Sequence, residues 1–265
     1  MRDSTPPYDP RAAITRREAL RRTTFSALAV ATGGCLHSTA PGTGGDGRLT
    51  TRVITPTTTT SPGLYPLGFG RTRDGFLYVP TSYKPDTPAP LALLLHGAGQ
   101  ESSELLTPMR PLADTAGLVL VAVDSRDRTW DAILGAFGGD VQFIDRALGL
   151  AFSRVQVDAK RVRVAGFSDG GSYSLTLGII NGDVFSRVAA FSPGFIVNGP
   201  LNGKPKIFIT HGTRDTVLPI DQTSRQLVPR LKNAGYNVEY HEFDGGHGVP
   251  PTLLAQATMW LANGD

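Results

Sequence analysis

The sequence predicts an α/β fold: a mostly parallel sheet with helices on both faces and no sizeable cap domain. Apolar runs at residues 91–95 and 118–123 are uninterrupted, as strands buried on both faces require. Stretches that read as helices lie between such runs, and strands alternating with helices imply crossover connections and hence parallel pairing. Only about 15 residues separate the strand ending near Phe191 from the one beginning near Lys206, and a loop of that length holds no inserted domain.

In chain order, residues 1–34 read as an export signal. Thr15-Arg16-Arg17-Glu18-Ala19-Leu20 carries a twin-arginine pair, and an uncharged run from 23 to 34 leads to Cys35. That run is too short for a permanent membrane span. Two processing points compete. Thr32-Gly33-Gly34-Cys35 resembles a lipoprotein box that would leave Cys35 acylated, although Thr32 stands where leucine is usual, whereas Ser38-Thr39-Ala40 suits ordinary signal peptidase. A lipid on Cys35 would be the chain's route to a membrane, and the expected location is the cell envelope or periplasm. Residues 35–63, rich in Gly, Thr and Pro, read as a disordered, solvated tether. Residues 64–265 remain as the folded domain.

The first 34 residues hold six arginines against three acids, which accounts for the whole formal charge of +3. The rest is balanced, so no basic groove for nucleic acid is implied. The single cysteine excludes an intramolecular disulfide framework and a cysteine-based metal cluster. No P-loop, dinucleotide fingerprint or spaced metal-ligand set occurs, and no cofactor is expected. With 265 residues and 40% hydrophobic content, the chain can bury a full core.

Within the domain, residues 75–80 make a short strand closed by Pro80, and 91–95 a buried one that empties into His96-Gly97-Ala98-Gly99-Gln100. A helix over 102–116 and a strand over 118–123 follow. Residues 125–131 form a polar loop before a helix over 140–152. Strands at 187–191 and 206–210, a helix over 219–234, a strand over 237–243 and a helix from 252 complete the chain.

Between these lies the most informative stretch. Alternating residues from Val162 run into Gly166-Phe167-Ser168-Asp169-Gly170, and a helix continues from Gly171. A serine exposed on a strand-to-helix turn is crowded by both elements, so the positions two residues to either side must lack a Cβ. The new helix aims unpaired N–H groups at the point where an oxyanion would form. Such a serine needs a base, and the base an orienting acid. Three histidines follow it. His241 falls within a strand, and His211 is preceded after the elbow only by Asp169 and Asp183, so His247, in a flexible Gly-rich loop after a strand, is the expected base. For the acid, Asp215 just past the strand 206–210 is preferred over Asp221, Glu239, Glu242 and Asp244. The oxyanion donors are expected to be the N–H groups of Asp169 and Ala98, with His96 a structural hydrogen-bonder. Trp130, Phe195, Leu218 and Val249 lie in loops near this edge and could wall an apolar acyl pocket; each reads equally well as packing.

Leu93-Leu94-Leu95-His96-Gly97, the elbow, His211-Gly212-Thr213-Arg214-Asp215 and Gly246-His247 together resemble the α/β-hydrolase superfamily. Within it the chain is similar to the phospholipase/carboxylesterase group and to polyhydroxybutyrate depolymerase-like esterases, over roughly residues 64 to 265. The resemblance implies a serine hydrolase of carboxylic esters with an acyl-enzyme intermediate. A polymer or glycan esterase (polyester depolymerase, feruloyl or acetyl esterase) is the alternative, and a non-catalytic surface-binding lipoprotein on the same scaffold is a reading of another class.

Overall fold

The computed structural model describes residues 45–70 and 72–264. The export signal, Cys35 and the Ala40 processing point lie outside them.

An eight-stranded sheet is ordered β1-β2-β4-β3-β5-β6-β7-β8. The strands are β1 (Gly63–Pro66), β2 (Gly75–Val79), β3 (Ala89–Leu95), β4 (Val119–Val123), β5 (Val157–Phe167), β6 (Arg187–Phe191), β7 (Lys206–Gly212) and β8 (Val238–Phe243). β1 and β2 pair antiparallel at one edge, and every pairing from β4 to β8 is parallel. Helices α1 (Ser103–Ala116) and α6 (Pro251–Ala262) cover one face. The other carries α2 (Asp131–Leu134), α3 (Gly139–Arg154), α4 (Asp169–Ile180) and α5 (Ser224–Asn233). Alternation along a central strand feeds both layers: Leu91, Leu93 and Leu95 of β3 point into the α3/α4 layer, Ala92 and Leu94 into the α1/α6 layer. All seven residues of β3 are buried, as its uninterrupted apolar run requires. α4 is buried on every side, so the helix that follows the elbow is a core element.

Differences from the sequence reading are local. β1 and the single-turn α2 are additional elements. The helix expected over 219–234 is divided into a 3-10 turn, Ile220–Gln222, and α5, because Thr223 leaves the helical region and donates its hydroxyl to Pro219 O at 3.0 Å. Residues 192–205 contain no helix or strand, in keeping with the absence of a cap.

The solvated tether expected up to residue 63 is a correction over residues 45–58, which lie against the domain as a strap and belong to the same compact unit. Gly45 N–H donates to Phe137 O at 3.0 Å, and Leu49 is 2% exposed. Arg48 donates to Ile180 O at 2.6 Å and to both oxygens of Asp183 at 2.8 Å, and Arg52 reaches the same carboxylate. The buried Asn181 side chain accepts from Leu49 N–H at 2.8 Å and donates to Gly47 O at 2.9 Å. Asp145 on α3 accepts from the N–H groups of Thr50 and Thr51. Composition predicted solvation because the strap contributes little apolar surface; it is held through backbone groups and two arginine side chains whose partners composition does not reveal.

Asn181→Ala leaves the buried Leu49 N–H and Gly47 carbonyl unsatisfied, at a cost of about 1–3 kcal/mol. Trypsin cleavage after Arg48 and Arg52 is expected to be markedly faster in this variant than in the wild type; equal rates would refute a docked strap.

Candidate active site

Three loops at the C-terminal edge of the parallel strands meet at Ser168. The serine is 3% exposed and sits at φ 56°, ψ −117°, a conformation that L residues rarely adopt. Packing holds it there. Ser168 N–H donates to Phe191 O at 2.8 Å, anchoring the turn to β6. A Cβ on Gly166 would collide with the Gly170 carbonyl, and one on Gly170 with the carbonyls of Leu95 and His96, so the elbow touches β3 backbone to backbone.

Ser168 Oγ donates to His247 Nε2 at 2.8 Å, and His247 Nδ1–H donates to Asp215 Oδ2 at 2.6 Å. The sequence-predicted serine, histidine and acid are thus brought into one hydrogen-bonded line. The second oxygen of Asp215, Oδ1, accepts the N–H groups of Val217 and Leu218, both at 2.8 Å. Burial would raise this carboxyl, but the Leu218 N–H, the His247 imidazole and the Val217 N–H outweigh it and hold it below the usual carboxylate range.

His211 has no bond to the serine, yet it is next to Asp215. Its Nε2–H donates to Leu218 O at 2.8 Å and lies 3.2 Å from Asp215 Oδ2, while Nδ1 accepts from Ser224 Oγ at 2.7 Å. The break at Thr223 makes this fit possible by setting Leu218 and Ser224 on either side of the ring. Burial pushes the His211 imidazole down, so it stays neutral, its proton committed to the Leu218–Asp215 side. Sequence reasoning missed this role, although the spacing of four between His211 and Asp215 across a strand end was visible.

Around the oxyanion position, Ala98 is exposed on the loop after β3, and its N–H makes no hydrogen bond to the described residues. Asp169 is the first residue of α4, where the N–H has no intrahelical partner. Gln100 sets the Ala98 loop by accepting Gly97 N–H on its Oε1 at 2.9 Å, and Gly99 N–H reaches Arg128 O. The Asp169 carboxylate accepts from Thr129 Oγ1 at 2.8 Å, fixing the first turn of α4 to the loop after β4. His96 is structural, as expected: Nε2 accepts from Ser125 N–H at 2.9 Å and Nδ1–H donates to its neighbour's carbonyl, Gly97 O. Burial lowers its basicity too.

The four expected pocket residues do not form one pocket. Trp130 is a correction: it is fully buried, stacked on Tyr173 with ring centroids 5.1 Å apart, and donates Nε1–H to His96 O. It supports the loop from below. Phe195 and Leu218 are half-buried, and Leu218 packs over Gly194. Val249 lines a groove of about 440 Å³ that opens beside Phe167 and runs between α1 and α6. Ser192, which no sequence signal marked, takes φ 47° at the end of β6 and donates Oγ–H to Gly248 O at 3.1 Å, steadying the His247 loop. Among the described residues, no group of three His, Cys, Asp or Glu side chains is placed to hold a metal ion.

Residues 136–263 match the phospholipase/carboxylesterase family. Over 183 residues, 65% of its length, the chain is 32% identical to a bifunctional acetylxylan esterase/xylanase of Neocallimastix patriciarum, of which it spans 25%. It spans between a quarter and about half of the length of the curated relatives it matches. Among solved structures, it is similar to an S-formylglutathione hydrolase from Staphylococcus aureus (TM-score 0.62, 16% identity, 82% of this chain and 100% of that one). It is also similar to a ferulic acid esterase from Anaeromyces mucronatus (TM-score 0.58, 16% identity, 76% of this chain and 90% of that one). At these identities, the structural likeness is one of fold. The chain has the α/β-hydrolase fold, and its C-terminal half matches the phospholipase/carboxylesterase family.

Proposed function

We propose that this protein is a serine hydrolase that cleaves carboxylic esters through an acyl-enzyme intermediate. The observation that carries the reading is the unbroken line Ser168 Oγ, His247, Asp215 at 2.8 and 2.6 Å. Ser168 Oγ attacks the acyl carbon while His247 Nε2 takes its proton; the same proton then goes to the departing alcohol oxygen. Water repeats the sequence on the acyl-enzyme, giving the carboxylic acid and free Ser168. Asp215 keeps the Nδ1–H tautomer of His247 and stabilises the imidazolium that forms in each step. The N–H groups of Ala98 and Asp169 stabilise the oxyanion, and in sites of this kind one such donor contributes about 2.7–4 kcal/mol.

A second reading is a glycan esterase, favoured by likeness to an acetylxylan esterase and a ferulic acid esterase. Export rests on the twin-arginine leader, and acylation of Cys35 would tether the enzyme to a membrane. A mature N-terminus at Pro41 without lipid would refute the tether.

Ser168→Ala is expected to lower turnover of p-nitrophenyl acetate by about 10⁵-fold or more with thermal unfolding unchanged. A fluorophosphonate should add once, on Ser168 of the wild type, and undiminished activity of the variant would refute the assignment. Asp215→Asn is expected to lower kcat by about 10³- to 10⁴-fold. Because the folded carboxyl titrates below its unfolded value of about 3.9, its stabilising contribution is present above that pH and is lost as pH falls through the folded value. The gap in unfolding free energy between wild type and Asp215→Asn should therefore be widest near neutrality and close in strong acid. A gap that widens on acidification would contradict the assigned role.

A further inference from the structure

The groove between α1 and α6 opens beside Phe167 and Gly248, the chain neighbours of Ser168 and His247. Its inner end is Phe167, whose ring lies 4.9 Å from the His247 ring and is also packed beneath the Ala98 loop, where a Cβ on Gly97 would come within 3.3 Å of it. From there the walls are Leu105, Pro108, Leu112, Val249 and Leu254. Two polar side chains border it. The Gln100 amide oxygen is occupied by Gly97 N–H, and Glu104 is exposed at the rim. Pro108 and Pro111 bring no N–H to the groove wall. Gln100 Nε2 and the Glu104 carboxylate are the polar side-chain groups left to a ligand, and the stretch walled by Leu105, Pro108, Leu112, Val249 and Leu254 offers a hydroxyl-rich group no side-chain partner, so burying sugar hydroxyls there would cost free energy.

Resting on the ester-hydrolase reading, we propose that this groove receives the alcohol part of the ester, and that the alcohol is an alkyl or aryl group rather than a sugar. The leaving oxygen must lie within hydrogen-bond reach of His247 Nε2 to collect its proton. Gly248 and Val249, the next two residues of the same loop, are groove wall, and Phe167 under the His247 ring is its floor. The carbon attached to that oxygen is thereby delivered to the groove mouth, while the carbonyl oxygen is turned to Ala98 and Asp169. A cavity of about 440 Å³ is within the size range of small-molecule sites.

The test compares kcat/KM for ethyl, butyl, hexyl and octyl acetate, for ethyl butyrate and ethyl hexanoate, and for xylose tetra-acetate. The wild type is measured beside Leu112→Asp, with fluorophosphonate labelling of Ser168 in parallel. The expected result is a rise along the alcohol series of up to about fourfold per buried methylene. Leu112→Asp should remove at least tenfold on octyl acetate and less than threefold on ethyl acetate. Pro108→Glu, at an exposed helix position, gives the same readout should Leu112→Asp fail to fold. A rise along the acyl series instead, a preference for the sugar acetate, or a flat alcohol series with Ser168 labelled overturns this proposal alone. No turnover of any ester with Ser168 unlabelled overturns the ester-hydrolase reading and the proposal with it.

Discussion

Everything at this site depends on one backbone constraint, the close approach of the elbow to β3. A non-glycine residue held in a sparsely populated conformation costs on the order of 1–3 kcal/mol and persists only where its surroundings over-determine it. Here Gly166 meets Gly170, and Gly170 meets the carbonyls of Leu95 and His96, with no side chain between. The distance from Ser168 to the Ala98 loop is therefore set by main-chain van der Waals radii, and by no rotamer. Rigid placement of this kind is what preorganised electrostatic stabilisation requires, because donors that must move to reach an oxyanion lose part of their benefit.

The acid is equally constrained. Asp215 has a bonded partner for each oxygen, with His211 standing as a neutral neighbour on the side of His247. A buried carboxylate with these donors is satisfied without a counter-cation, and its one strong side-chain bond is directed at His247. The His247 loop is fixed independently, through Ser192 and through the ring of Phe167.

The sheet was largely legible because burial on both faces leaves uninterrupted apolar runs, as at residues 91–95 and 118–123, whose five- to six-residue length suits a strand better than a helix. Ser168, His247 and Asp215 were legible because glycines surround the first, a Gly-rich loop holds the second and few acids compete for the third. Other features had no such signal. β1 is four residues at a sheet edge with alternating exposure, too short to show a period. Trp130 follows polar residues in a loop, and nothing local announces that Tyr173, more than 40 positions later, will cover it. The strap was misread because its attachments, main-chain groups together with the Arg48 and Arg52 guanidinium groups, are polar, and a Gly/Thr/Pro-rich composition does not reveal polar partners far along the chain. The role of His211 emerged only once the helix break at Thr223 had put Leu218 and Ser224 about its ring.

The strap also has a mechanical side. Arg48 and Asn181 fasten it to the last turn of α4, the helix that begins immediately after Ser168. Those two ends are joined by a rod of 12 residues, about 18 Å long and stiff along its axis. Tension applied to the chain ahead of Gly45 would enter this rod at its far end, through the bonds of Arg48 and Asn181. A pull at that end would be carried along the helix axis toward Ser168.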